Sequence, residues 1–147
     1  MTREEFLNEA RRAAEASSAK SKLPADVTVA QAALESRWGE SILSREANNY
    51  FGIKAHGSHE AYEIETREVV NGREITVTAR FAKYADMQEC FEDRDRMITT
   101  SAIYAGAKAA VGDVERFVRE LAKHWATDPK YAEKLLRMCQ QVEAVKQ

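Results

Sequence analysis

Gln31-Ala32-Ala33-Leu34-Glu35-Ser36-Arg37-Trp38-Gly39, followed within a dozen residues by Asn48-Asn49-Tyr50-Phe51-Gly52-Ile53-Lys54, sets one acid at the end of a helix-forming run. The pattern predicts a helix over Val27 to Trp38: Pro24 suits its start, Ala and Leu dominate it, and Gly39 can take a left-handed stop. Gln31, Glu35 and Trp38 then share one helix face, at i, i+4 and i+7. A carboxyl beside an indole is partly desolvated, which disfavours its charged form and moves its pKa up toward that of a general acid. Glu35 is therefore the first catalytic candidate.

On the N-terminal side, Thr2 and Glu5 have capping-box spacing, and Phe6, Ala10, Ala13 and Ala14 mark the inner face of a first helix. That helix is expected to end near Ser17, with Ser17 to Lys22 as a polar loop. On the C-terminal side, Ser41 to Ala47 reads as a short helical piece that the Asn48-Asn49 pair breaks. Asn71-Gly72 lies between runs rich in Val, Thr and Ile and predicts a β-hairpin within Glu65 to Phe81. Asp86 with Glu89 starts a helix to about Thr100, Asp113 caps one to about Trp125, and Asp128-Pro129 opens the last. Together these elements describe an α+β, predominantly α-helical domain, and 147 residues fit one domain, 1–147, with one substantial core.

Composition narrows the functions. The net charge is −2 with signs interspersed, so there is no concentrated basic stripe and nucleic acid is not an expected partner. No apolar run approaches a membrane span, and Met1-Thr2-Arg3-Glu4-Glu5-Phe6 lacks the basic and apolar regions of a secretory signal. The expectation is a protein made in the cytoplasm without a signal peptide. Cys90 and Cys139 fall on apolar helix faces and read as small buried hydrophobes, with a bridge between them left open. His56, His59 and His124 lack ligand spacing, so no metal site is expected.

The Ala33-Leu34-Glu35-Ser36-x-Trp38-Gly39 and Asn48-Asn49-x-Phe51-Gly52-Ile53-Lys54 pair resembles the N-acetylglucosaminidase family of peptidoglycan hydrolases. The Tyr84 helix entry and Ala126-Thr127-Asp128-Pro129-Lys130-Tyr131-Ala132 follow in the family's order, so the resemblance covers nearly the whole chain. It implies a lysozyme-like fold with a small β-hairpin lobe flanking a cleft. It also implies cleavage of the β-1,4 bond between N-acetylglucosamine and N-acetylmuramic acid, with the peptidoglycan glycan strand as partner. Two carboxyls and water suffice for that reaction, so no cofactor is expected.

Glycoside hydrolysis usually needs a second acidic group. With Asn71-Gly72 as a two-residue turn, Val70 pairs with Arg73, Val69 with Glu74 and Glu68 with Ile75. Glu68 then projects with Thr66, Val70, Ile75 and Val77, while Glu65 and Glu74 project from the other face. The family carries a glutamate on this lobe just before the turn, and Glu68 matches it. Trp38 and Tyr50 are candidates for stacking on sugar rings, and Asn49 for holding an acetamido group. Near the C-terminus the family commonly has Gly-Tyr before Ala-Thr-Asp-Pro, where this chain has His124-Trp125. An indole N–H only donates, so Trp125 is expected to supply a stacking surface in the cleft, with the polar contact left to His124 or Tyr131.

A muramidase or lytic transglycosylase of the same broad fold is the alternative enzyme, and a non-catalytic peptidoglycan-binding domain the alternative class. The expected place of action is the periplasm or cell wall, reached by secretion-system delivery or lysis. An antibacterial effector would have a cognate immunity protein occluding the cleft; a phage endolysin would not.

Overall fold

The computed structural model describes residues 1–145, so the last two positions of the expected 1–147 domain lie outside the described residues. Local chemistry sets where each helix begins. Helix α1 (Arg3–Ser21) opens on Thr2, whose hydroxyl accepts from the Glu5 amide while the Glu5 carboxylate accepts from the Thr2 amide. It runs through the stretch expected as a loop and stops at left-handed Lys22. The serines there serve the helix end: Ser17 is buried with its hydroxyl on the Ala14 carbonyl, and the Ser18 hydroxyl reaches the Leu23 carbonyl.

Helix α2 (Ala25–Ser36) starts after Pro24 and ends two residues before the expected Trp38. Arg37, Trp38 and Gly39 take successive φ angles of 52°, 59° and 81°, and the Ser36 hydroxyl accepts from the Gly39 amide. This left-handed run carries Trp38 off the Glu35 face and onto Phe6, with ring centroids 6.1 Å apart at 70°. Gly39 is needed twice over, for its φ and because a Cβ there would stand 3.0 Å from the Phe6 ring.

Helix α3 (Ile42–Ala47), capped by Ser41, ends at left-handed Asn48 and leads through 48–54 to the hairpin. Strands β1 (Glu60–Val70) and β2 (Arg73–Lys83) form an antiparallel pair longer than expected, in the register that the Asn71-Gly72 turn predicts: Val70 faces Arg73, Val69 faces Glu74 and Glu68 faces Ile75. Among the described residues only the hairpin base is stitched to the body through backbone bonds, Ala55 N–H to the Arg80 carbonyl (3.0 Å) and Ala82 N–H to the Ile53 carbonyl (2.9 Å). Its tip stands in solvent, with Val69 72% exposed.

Helix α4 (Met87–Thr100), capped by Asp86, is followed by a 3-10 turn at Ala102–Tyr104 and the short α5 (Ala105–Ala109). Asp113 caps α6 (Val114–Trp125), and α7 (Tyr131–Ala144) closes the body. Phe6, Leu7, Phe91, Ile98, Phe117, Leu121 and Leu135 are completely or nearly completely removed from water and form the core between α1, α2, α4, α6 and α7. Cys90, buried on α4, and Cys139, half-buried on α7, are both free thiols, so the bridge left open above is not formed. No helix among the described residues is long and apolar enough to cross a membrane.

Candidate active site

The last turn of α2 presents Glu35, half-buried, beside the first residue of α7. The Tyr131 hydroxyl donates to Glu35 Oε2 at 2.6 Å, and Gln31, one turn earlier on α2, donates from Nε2 to the Tyr131 oxygen at 3.1 Å. Burial pushes the Glu35 pKa up; the Tyr131 hydrogen bond opposes this but does not cancel it, leaving the pKa raised. Burial, reinforced by the neighbouring carboxylate, raises the Tyr131 phenol further above its ordinary value and keeps it protonated as a donor. The acid is thus biased toward its protonated form and held by a neutral donor, as a general acid requires.

Glu35 opens onto a cavity of about 380 Å³ that is walled by Phe51, Tyr104 and Trp125 and floored by Gly52, Ile53 and Lys54, with Met97 and His56 at its margins. Trp125 meets Phe51 edge-on (6.3 Å, 82°) and leans on Tyr104 (6.2 Å, 44°). Trp125 therefore lines the cavity onto which Glu35 opens. The indole expected to desolvate Glu35 is corrected: Trp38 is in the core, and Trp125 supplies the indole of the acid's cavity. Tyr104 was not singled out in the sequence, because it lies in a 3-10 turn with no motif of its own.

Three further expectations of sugar contact give way to structural roles. Asn49 is 1% exposed; its Nδ2 donates to the Ile53 and Ala82 carbonyls, both at 2.9 Å, and its Oδ1 accepts from the Phe51 and Ile53 amides. It shapes the cleft floor and ties it to β2. Tyr50 is buried between Phe6 and Phe91, each 6.2 Å away, with its amide on the Cys90 sulfur. Tyr131, 5% exposed, lies beneath the acid and donates to Glu35, so its hydroxyl is turned to the acid and not to a sugar. His124 is exposed and engages Tyr104 through its carbonyl.

Glu68 is exposed and stands apart from this cavity. Its rung is six residues from Phe81, the hairpin residue bridged to Lys54, which is roughly 20 Å along the strand. It shares the half-buried face of the ladder with Ile64, Thr66, Val77 and Ala79. On the opposite face Glu74 pairs with Arg67 (2.6 Å) and Glu63 with Arg80 (3.7 Å), whereas Glu68 makes no ion pair among the described residues.

A larger cavity, about 1120 Å³, lies between the hairpin base and α4. It is not the better candidate, because its central carboxylate is already engaged: Asp93 accepts from Tyr84 (2.6 Å), pairs with Arg96 (2.8 Å) and is hydrogen-bonded to His59 Nε2 (2.9 Å). Among the described residues no group of three or more His, Cys, Asp or Glu side chains converges to hold a metal ion.

Residues 11–144 match the glucosaminidase family model, described as mannosyl-glycoprotein endo-beta-N-acetylglucosaminidase. The peptidoglycan hydrolase FlgJ of Vibrio parahaemolyticus is 32% identical over 148 residues, covering 97% of this chain and 48% of that protein. The C-terminally truncated glycoside hydrolase domain of Salmonella typhimurium FlgJ superposes with a TM-score of 0.82 at 35% identity, over 97% of this chain and 99% of that one. The catalytic domain of the autolysin Auto from Listeria monocytogenes superposes at 0.84 with 29% identity, over 99% and 88%. The chain spans about half the length of the FlgJ proteins it matches.

Proposed function

The chain belongs to the glucosaminidase family and has its lysozyme-like fold, and from that premise we propose that it is a peptidoglycan hydrolase cleaving the β-1,4 bond that follows N-acetylglucosamine. The observation that carries this reading is the half-buried Glu35 of raised pKa, held at 2.6 Å by Tyr131 at the edge of an aromatic-walled cleft. Glu35 protonates the leaving glycosidic oxygen, and the Trp125 ring packs on a sugar face. Glu68 acts as the assisting carboxylate. The two carboxyls of a glycosidase work about 5 to 9.5 Å apart, so the hairpin bends over the bound strand about its stitched base to deliver Glu68.

Purified sacculi test the assignment by mass spectrometry of the released muropeptides. Reducing N-acetylglucosamine ends are the expected product; reducing muramic acid or anhydro-muramic ends would reassign the enzyme as a muramidase or a lytic transglycosylase. Glu35→Gln is expected to lower turnover about 10²- to 10⁴-fold while sacculus binding persists. Equal solubilisation by wild type and variant would overturn Glu35 as the acid, and no solubilisation by the wild type would leave a glycan-binding role only.

The substrate places the activity in the periplasm or cell wall, reached as a delivered effector or an endolysin. Delivery of the chain to the periplasm is then expected to lyse cells, and its confinement to the cytoplasm to be harmless. An inhibitor that occludes the cleft would protect against the first.

A further inference from the structure

Arg94 lies on the inward face of α4, a stripe that otherwise carries Met87, Cys90, Phe91 and Ile98, and is completely buried. Its Nη1 donates to Thr28 Oγ1 and to Asp95 Oδ1, both at 2.8 Å, and its Nε donates to Gln31 Oε1 at 2.8 Å. Asp95 is held in turn by the Ser21 hydroxyl at 2.7 Å. A guanidinium has five N–H donors and no acceptor. Whatever it touches must therefore accept, and this dictates the orientation of the Gln31 amide: oxygen toward Arg94, NH₂ toward Tyr131.

The consequence runs outward. Because Gln31 donates to the Tyr131 oxygen at 3.1 Å, the single Tyr131 proton is directed to Glu35 Oε2 at 2.6 Å. An oxygen that accepts this short hydrogen bond is disfavoured as the site of the carboxyl proton. The proton of the acid form then resides on Oε1, which has no protein partner among the described residues and belongs to a side chain lining the cleft.

We propose that Arg94 is a positioning residue which, through the Gln31 amide and the Tyr131 hydroxyl, places the transferable proton of Glu35 on the oxygen that faces the cleft. The proposal rests on Glu35 being the general acid. Were the Gln31 amide turned over, its oxygen would accept from Tyr131, Tyr131 would accept from a protonated Oε2, and the proton would point into the protein. Gln31, Tyr131 and Glu35 share two hydrogen bonds in either arrangement, but the bond from Arg94, a buried group that can only donate, forms in the first alone and selects it.

Gln31→Glu tests this with little change of shape. The new carboxylate keeps its contact with Arg94 and accepts the Tyr131 proton, which reverses the chain. The expected result is a folded protein whose kcat falls on the order of 10- to 100-fold, with KM within about twofold of wild type. Its alkaline limb of kcat against pH moves to higher pH, since Glu35 loses a donor and gains a negative neighbour. The groups facing Glu35 from other elements, Tyr131 on α7 and Lys54 and His56 before the hairpin, are unchanged, so the shift reports the reversal. More protonated acid with less turnover is not what a merely structural role predicts. Arg94→Lys, whose ammonium also only donates, should keep the wild-type limb, and Arg94→Gln should not.

A folded Gln31→Glu variant with wild-type kcat and an unmoved limb would overturn the proposal, while an active Glu35→Gln would overturn the reading beneath it. The wild-type protein supplies an independent check by NMR. The Gln31 side-chain amide protons should show cross-relaxation to the Tyr131 ring, and their proximity to Arg94 Nε–H instead would also overturn it.

Discussion

The helical cradle around Glu35 and the hairpin that carries Glu68 hold their carboxylates in opposite ways. In the cradle, α2, α4 and α7 meet around a chain of hydrogen bonds from Asp95 through Arg94, Gln31 and Tyr131 to Glu35, nearly all of it away from water. On the hairpin, Glu68 is exposed and without an ion pair among the described residues, two residues from a turn whose neighbours Val69 and Val70 lie open to solvent. The contrast matches the two tasks. In the mechanism proposed above, a general acid has to be desolvated and held in one place, whereas an assisting carboxylate has to be brought to the reacting bond.

The largest effect that would break this contrast comes from the hairpin. Replacing residues 65–78 with a two-residue Asn-Gly turn is expected to abolish lysis of sacculi, while the melting temperature moves by less than about 3 °C, because the outer ladder packs on itself. Glu68→Gln alone should lower kcat about 100-fold, within the range of acid–base assistance. Wild-type activity in either variant would show that the substrate's own acetamido oxygen serves in place of the hairpin carboxylate.

Next in size is Tyr131→Phe, which removes the donor to Glu35. Steady-state kinetics should show kcat about tenfold lower, on the scale of a hydrogen bond to a charged group. The alkaline limb should move to higher pH, since the lost bond was lowering the pKa of the acid.

The smallest effect sharpens the cradle side. Folding raises the pKa of Glu35, so its ionised form makes the native state less stable at neutral pH. Below the ordinary carboxylate range both the folded and the unfolded chain carry the proton, and the penalty disappears. Glu35→Gln should therefore melt roughly 2 °C above wild type at pH 7 to 8, with the gap closing below about pH 4. Calorimetry across that range checks it.

Much of this was legible along the chain. Thr2 and Glu5 announced the start of α1, Asp86 and Asp113 capped their helices as expected, and Asn71-Gly72 set the hairpin register rung by rung. Trp38 was misplaced because three consecutive left-handed residues end α2, and two of them, Arg37 and Trp38, are not types that announce such a turn. The helix at Ser17 to Ser21 was missed because serine reads as loop until its hydroxyl is seen to satisfy the helix end. Asn49 and Tyr50 belong to a motif whose residues the structure uses to build the cleft floor and the core beneath it.

By itself the sequence determined what depends on neighbours a few positions apart: helix periodicity, caps, the turn and its register, and the acid at the end of α2. The tertiary structure decided which groups surround that acid. Tyr131 lies 96 positions from Glu35, and Arg94 lies 63 from Gln31. A hydrogen bond depends on separation in space, and periodicity carries no information about partners so far away along the chain. No motif in the sequence marks Arg94; only packing α4 against α2 turned it into the group that orients the acid.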